Sequence, residues 1–317
     1  MVEHRDATQL IASLHEKFDF DSRDKWCLFH SISFDVSVWE IWGALSCGNQ
    51  LSIVPFNVTR SSDEFHDWIC TNGITVLNQT PSAFKTLMCA KNVSSRSYRL
   101  RYVIFAGEAL DPLIVRDWYD KNAENQTVII NMYGPTETVI FATSWISDVT
   151  NSKSSLMPIG RPLSNKRIYL LDAHGEPVPL GAEGEIYIGG DGVARGYLNQ
   201  PELTAEHFLP DQFSDDQMAR MYRTGDRARY LSDGNLIYLG RTDQQVKIRG
   251  FRIEPGEIEA RLVEHPQVQD AVVQSYGNGS DARLVAYVVT DADTSLAQDL
   301  RTYLSNLLPD YMVPTAF

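Results

Sequence analysis

Hydrophobic and polar positions along the chain change their spacing twice. From Asp6 to about Tyr133, stretches with apolar residues at helical spacing alternate with short apolar runs of strand length. "DATQLIASLHEKF" predicts an amphipathic helix capped by Asp6, and "SSDEFHDWICTNG" a helix stopped by Gly73. "PSAFKTLMCAK", with Pro81 in its first turn, and "DPLIVRDWYDKN" predict two more. "LSIVP", "ITVLNQ", "RYVIFAG" and "TVIINMYG" read as strands. Such alternation with short links predicts a parallel sheet covered by helices on both faces. Ligands of these sheets sit at the carboxyl ends of the strands, where "FAGEA" and "NMYGPTE" fall.

After Trp145 the spacing becomes strict alternation. "KRIYLLDAHGEPVPLGAEGEIYIGG" and "RARYLSDGNLIYLGRTDQQVKIRGFRI" carry hairpin signals and predict an antiparallel sheet or distorted barrel. A third texture begins near Asp243: helix "PGEIEARLVEHP", strands "VQDAVVQSYG" and "RLVAYVV", and helix "SLAQDLRTYLSNLLP", a small α+β unit. The expected organisation is a large domain over residues 1–242, with an α/β layer to 145 and a β-rich part from 146, then a smaller unit over 243–317.

Composition narrows the function classes. With 317 residues and 43% of them apolar, the chain can bury a sizeable core. A net charge of -13 argues against a general nucleic-acid binder, which would carry a basic stripe. It leaves room for one nucleotide held by local cations, backbone amides and a divalent metal. The apolar runs are strand-sized and "MVEHRDATQL" lacks a signal-peptide pattern, so a cytoplasmic protein without membrane association is expected. Cys27, Cys47, Cys70 and Cys89 show no paired short spacing and read as reduced, packed thiols.

Three stretches carry candidate chemistry. In "NMYGPTETVIFATSW", Gly134-Pro135 makes a sharp exit from a strand and leaves Thr136 and Glu137 exposed at the ligand-bearing edge. The Tyr133 ring can stack on a base, the hydroxyl can donate to a phosphate oxygen and the carboxylate can hold Mg²⁺. A plain turn with a capping Thr explains the same letters. "MYRTGDRARY" puts Asp226 at a turn, suited to both hydroxyls of a ribose or merely a hairpin aspartate. "GRTDQQVKIRGFRIEPGEIE" is rich in cations and Gly250 interrupts its strand pattern, with a solvated hairpin face as the alternative. The glycines of "YIGGDGVARGYLNQPELT" do not fit a phosphate cradle and read as tight turns.

Taken with "FDVSVWEIWGAL", "GEIYIGGDGVARGYLNQPELTAEHF" and "LPDYMVP", these stretches lie in the order of the core motifs of one family. Over essentially its whole length the chain resembles the adenylation domains of non-ribosomal peptide synthetases, within the adenylate-forming, AMP-binding enzymes. The resemblance implies an α/β fold: a mostly parallel sheet flanked by helices plus a distorted antiparallel barrel, followed by a small α+β lid domain. It implies activation of an amino acid by ATP with Mg²⁺, then transfer to phosphopantetheine on a carrier protein, among other modules of a synthetase.

Residue by residue, the resemblance places Gly107, Glu108 and Ala109 along the adenine, with Asn131 at the polar edge of the base. Tyr133 and Tyr238 match the flanking aromatics, Thr136 the α-phosphate contact and Glu137 the Mg²⁺ ligand. Asp226 matches the ribose ligand assisted by Arg241, and Asp243 the hinge of the small domain. Lys247 and Gly250 match the strand and loop that the hinge brings in for thioester formation. Asp35 matches the acid that pairs with a substrate ammonium, with a helix-capping Asp before "VSVWE" as the alternative. Val36, Trp39, Asn78, Ile104, Ala106, Met132, Ile140 and Phe141 match the pocket lining. This lining is apolar but for Asn78, so a neutral amino acid of small to medium size is expected. Asn78 suits a threonine- or serine-like side chain, and a branched aliphatic one stays open.

The family's phosphate loop precedes the match to "VEHR" and its adenylation lysine follows "LPDYMVP". The chain alone is therefore expected to be a weak or inactive piece of a longer synthetase. The alternatives are an acyl- or aryl-CoA ligase of the same fold, against which Asp35 and "LPDYMVP" speak, and a non-catalytic nucleotide-binding remnant.

Overall fold

Tyr133 ends one strand of a seven-stranded sheet, and most of the candidate residues hang from the carboxyl ends of its neighbours. The computed structural model describes residues 1–90, 97–122, 126–147, 156–277, 282–291 and 296–317; Lys91 and Ser295, assigned above to helix ends, lie outside them. These residues form two compact units, Met1–Ala106 with Leu110–Thr242, and Asp243–Phe317 with Gly107–Ala109.

The first unit begins α1 (His4–Lys17), β1 (Lys25–Leu28), α2 (Val36–Leu45), β2 (Gln50–Ile53), α3 (Ser62–Asn72), β3 (Val76–Gln79), α4 (Pro81–Met88). It continues β4 (Tyr102–Phe105), α5 (Pro112–Lys121), β5 (Val128–Tyr133), β6 (Thr143–Ser147) and β7 (Arg161–Pro162). The sheet runs β2-β1-β3-β4-β5-β6-β7, parallel through β5 and antiparallel beyond it. β1 was not legible in the pattern, because four residues between polar flanks show no period.

Alternation along the strands divides the apolar residues between two cores. Leu77, Val103, Phe105 and Ile129 pack with Phe65 and Ile69 of α3, Phe84 of α4 and Trp118 of α5. Val76, Ile104, Ile130 and Met132 pack on the other face with Leu10 and Leu14 of α1 and Trp39 of α2. Helices thus cover both faces. The cap of α1 differs from expectation: Glu3 is the N-cap, and Asp6 lies one turn inside, where Oδ2 accepts from the Glu3 amide at 3.0 Å. The apolar stripe starts only at Leu10, so spacing could not locate the first turn; Asp6 satisfies an orphan amide from within the helix.

The β-rich part comprises β8 (Lys166–Leu171), β9 (Glu183–Gly190), α6 (Pro201–His207), β10 (Phe208–Pro210), β11 (Arg220–Tyr230) and β12 (Leu236–Arg241). Its antiparallel sheet runs β10-β11-β9-β8, and β12 pairs with the later half of β11. Here a second expectation fails. Asp226 is not at a turn but inside β11, opposite Arg241. Gly225, at φ 75°, produces a bulge, and the register to β9 jumps between Arg223 and Arg227. The letters Thr-Gly-Asp signal a reversal, while cross-strand pairing on both edges carries the strand through.

The second unit holds β13 (Val246–Ile248), β14 (Phe251–Ile253), α7 (Pro255–Val263), β15 (Asp270–Tyr276), β16 (Arg283–Val289) and α8 (Leu296–Leu307). Its core gathers Ile253, Ile258, Leu262, Val273, Leu284, Leu300 and Leu304. Among the described residues no helix is long and apolar enough to cross a membrane, and the four cysteines form no disulfide.

Candidate functional site

The exit from β5 is shaped by close backbone approach. A Cβ on Gly134 would lie 2.6 Å from the Ile140 carbonyl oxygen and 2.7 Å from the Ala142 amide, so only glycine lets the chain double back there. Thr136–Thr138 then forms a single 3-10 turn, and Val139 and Ile140 follow at φ 62° and 63°. That left-handed region is unfavourable for β-branched residues and is kept only where surroundings over-determine it.

Thr136 is exposed, as the sequence suggested, but Glu137 is only 8% exposed. The reason is Tyr197, whose hydroxyl donates to Glu137 Oε1 at 2.7 Å while lying 3.2 Å from the Tyr222 hydroxyl. Burial, then the Glu137 charge, push the Tyr197 phenol far above its ordinary range, so it remains a donor. The Ala194 amide donates to the Glu137 carbonyl at 2.9 Å. Tyr197 was missed because "GVARGYLNQ" looked like turns; a tyrosine among glycines, with a hydroxyl to satisfy, was the available signal.

Across the site, Asp226 is 2% exposed and held by three donors. The Tyr133 hydroxyl donates to Oδ2 at 2.6 Å, and Arg241 Nη1 and the Tyr238 hydroxyl donate to Oδ1 at 2.8 and 3.3 Å. Arg241 Nη2 also donates to the Thr224 carbonyl at 3.1 Å, which ties the guanidinium to the bulged stretch of β11. Burial and the Asp226 charge raise the Tyr133 phenol well above its ordinary value. The Tyr133 and Tyr238 rings lie 6.3 Å apart, tilted by 41°. Asn131, on the opposite face of β5 from Met132, donates Nδ2 to the Pro158 carbonyl at 2.8 Å.

Asp35 precedes α2 yet makes no side-chain cap bond; Oδ2 instead accepts from Thr136 Oγ1 at 2.6 Å. The helix-cap account of this residue therefore fails. Beside it, Trp39, Ile104, Met132, Ile140 and Phe141 belong to one buried apolar cluster, with Val36 and Ala106 packed against it. Asn78 pairs with Ile104 across the parallel ladder and accepts from Trp39 Nε1 at 3.1 Å. Its Nδ2 is buried without a hydrogen-bond partner among the described residues, an unmet donor inside an apolar lining.

Gly107, Glu108 and Ala109 follow β4 at its carboxyl end. Asp243, Lys247 and Gly250 belong to the second unit: Asp243 Oδ1 accepts from the Gln245 amide at 3.1 Å, Lys247 pairs with Arg252, and Gly250 sits in the β13–β14 turn. Thus the first unit brings Asp35, Thr136, Glu137, Tyr133, Asp226, Arg241 and Tyr238 into one connected set. The donors at Glu137 and Thr136 are hard oxygens, a set that suits Mg²⁺ rather than a softer metal.

An α/β sheet with an acid and a hydroxyl at a strand end, and a buried aspartate–arginine pair in the adjoining antiparallel sheet, suits a ligand site at the carboxyl edge of the parallel strands. Residues 1–198 match the family described as AMP-binding enzyme, and residues 257–317 match the AMP-binding enzyme C-terminal domain. The chain belongs to the AMP-binding enzyme family. It is 47% identical over 332 residues to malpinin synthetase of Mortierella alpina, covering 100% of this chain and 4% of that protein. To a dimodular nonribosomal peptide synthase of Bacillus subtilis (strain 168) it is 48% identical over 324 residues, again 100% of this chain and 14% of the relative. The chain therefore spans a small part of these relatives. Among solved structures, the Vibrio cholerae adenylation domain AlmE, in complex with glycyl-adenosine-5'-phosphate, superposes with a TM-score of 0.85 at 27% identity, over 99% of this chain and 59% of AlmE. NpsA-ThdA, an artificially fused adenylation-PCP di-domain from Klebsiella oxytoca, gives 0.82 at 29% identity, over 100% of this chain and 57% of that one.

Proposed function

We propose that this chain belongs to the part of a synthetase that activates a neutral amino acid with ATP and passes it to a carrier-protein thiol. The observation that carries the reading is the 2.6 Å bond between Asp35 and Thr136. It sets an acid at the start of α2, beside the apolar lining, next to the hydroxyl assigned to the α-phosphate. An amino acid whose ammonium meets Asp35 then presents its carboxylate toward that phosphate.

A carboxylate oxygen attacks the α-phosphorus, forming an acyl–phosphate bond, and the bond to the bridging oxygen breaks as pyrophosphate leaves with the electron pair. Once the substrate ammonium takes the Asp35 carboxylate, the Thr136 hydroxyl turns from Asp35 and donates its one proton to a non-bridging oxygen as charge builds there. Asp226, with Arg241 and the two tyrosines on three of its four lone-pair sites, accepts a ribose hydroxyl on the one that is left. Tyr133 and Tyr238 provide ring faces for the base, and Asn131 and residues 107–109 its edge. Glu137, oriented by Tyr197, would hold Mg²⁺, whose chemistry is to neutralise the triphosphate and the leaving pyrophosphate. In the second half-reaction a phosphopantetheine thiol attacks the acyl carbon, loses its proton, and AMP leaves. Asp243 is the proposed hinge between the two steps, with Lys247 and Gly250 serving the second.

The adenylate held by AlmE and the carrier fused in NpsA-ThdA support the two steps respectively. The test is ATP–pyrophosphate exchange by the complete module across the neutral amino acids. Exchange that depends on one of them supports the reading, and exchange indifferent to amino acid overturns it. An acceptor assay that prefers free CoA over carrier protein would instead favour a CoA ligase.

A further inference from the structure

Lys166 opens β8 in phase with the inward-facing Ile168 and Leu170, and its side chain is buried with them at 6% exposure. Nζ donates to the Thr138 carbonyl at 2.8 Å and to the Asp191 carbonyl at 2.5 Å. Among the described residues it makes no ion pair with a carboxylate. A buried ammonium paired only with carbonyls is costly. Burial accordingly lowers its pKa to about 8, against the pull of Asp6 on α1 and of Asp191.

The fold makes room for this cation. A Cβ on Gly192 would lie 2.6 Å from Nζ, and Gly192 itself sits at φ 80°, so the lysine end packs against a backbone position that favours glycine. The two carbonyls it joins bracket the candidate site. Thr138 ends the turn that bears Thr136 and Glu137, immediately before the two strained residues. Asp191 begins the loop that reaches Glu137 through the Ala194 amide and the Tyr197 hydroxyl.

We propose that Lys166 is a positioning residue: by tying the Thr138 carbonyl to the Asp191 carbonyl it holds the Thr136–Glu137 turn in its working geometry. The proposal rests on the adenylation reading for its catalytic consequence, though not for the brace itself.

The test uses the complete module with Lys166→Met, Gly192→Ala and the double substitution. In Lys166→Met, amide hydrogen exchange should rise about tenfold together in peptides covering 134–141 and 190–197, with β3 to β5 unchanged. Turnover in pyrophosphate exchange should fall about tenfold while the amino-acid KM stays within about twofold, since the pocket lining is untouched. Gly192→Ala crowds Nζ but also puts a side chain at φ 80°, so the part of its effect that persists once Lys166 is already Met is backbone strain, and only the part that vanishes reports on the brace. Unchanged exchange in the two segments would overturn the brace, as would a rise spread evenly over the unit, which marks ordinary core packing. Should Lys166→Met fail to fold, Lys166→Gln, which is too short to join both carbonyls, decides by the same exchange pattern. A wild-type module without amino-acid-dependent activity would sink the adenylation reading, and the amide exchange would still decide the brace.

Discussion

The Thr136 hydroxyl donates to Asp35 Oδ2 across 2.6 Å, although 101 residues separate the two in the chain. This bond joins the turn after β5 to the entrance of α2, and with it the residue proposed to meet the α-phosphate to the one proposed to meet the ammonium.

Charge and hydrogen bonding at Asp35 can be separated. Asp35→Asn keeps an acceptor for Thr136 but removes the charge, so the amino-acid KM should rise about a hundredfold while the ATP KM holds. Steady-state pyrophosphate exchange measures both. An unaltered amino-acid KM would remove the ammonium-pairing role.

The buried Arg241–Asp226 pair gives a stability test. Arg241→Met strands a carboxylate that is 2% exposed, and should cost about 3 kcal/mol in urea unfolding. Tyr133→Phe removes one neutral donor to the same carboxylate and should cost less, about 1 to 2 kcal/mol. Equal losses would mean that packing rather than charge dominates the cluster.

Lys166 makes stability depend on alkaline pH. Its folded value lies near 8, below the ordinary 10.5, so between those limits the unfolded chain holds the extra proton. Stability must then rise with pH across that window, by roughly 3 kcal/mol, because the cost of burying the charge is fully present below pH 8 and gone above 10.5. The quantity to follow is the stability difference between wild type and Lys166→Met, which cancels other titrations. A difference that stays flat through the window would show that the ammonium is not desolvated.

Tyr197→Phe removes the donor that aims Glu137. Half-maximal activity should then need about tenfold more Mg²⁺, with amino-acid KM unaltered. An unchanged metal requirement would mean that Glu137 is oriented by other contacts.

Asn78 offers a buried amide to whatever enters the lining. Asn78→Val should shift the preference between a hydroxylated and an isosteric aliphatic amino acid by about tenfold toward the aliphatic one. Competition between threonine and valine in the exchange assay reads this directly, and an unmoved ratio would take Asn78 out of substrate choice.

Much of this was legible in the letters. Period and punctuation located α3 through Ser61 and Gly73, α5 through Asp111 and Pro112, and the apolar strands β3 to β5, because each is a local decision of propensity, cap and alternation. Glu137 and Asp226 were legible as acids but not in their setting. The first was expected exposed and is covered by Tyr197; the second was expected at a turn and lies in a strand. Both errors have one cause: cross-strand and loop contacts from more than ten residues away outvote the local signal.

Lys166 shows the boundary most clearly. Its inward phase in "KRIYLL" could be counted from the alternation, yet nothing in the letters says which carbonyls it would meet. The sequence alone determined the strongly periodic elements, the family resemblance and the kinds of chemical group available, since these follow from residue type and spacing along the chain. Tertiary structure decided which groups touch: Asp35 with Thr136, Asp226 with Tyr133 and Arg241, Lys166 with Thr138 and Asp191. Such pairings depend on strand order, register and bulges, which are set by the packing of the whole unit and not by any one segment.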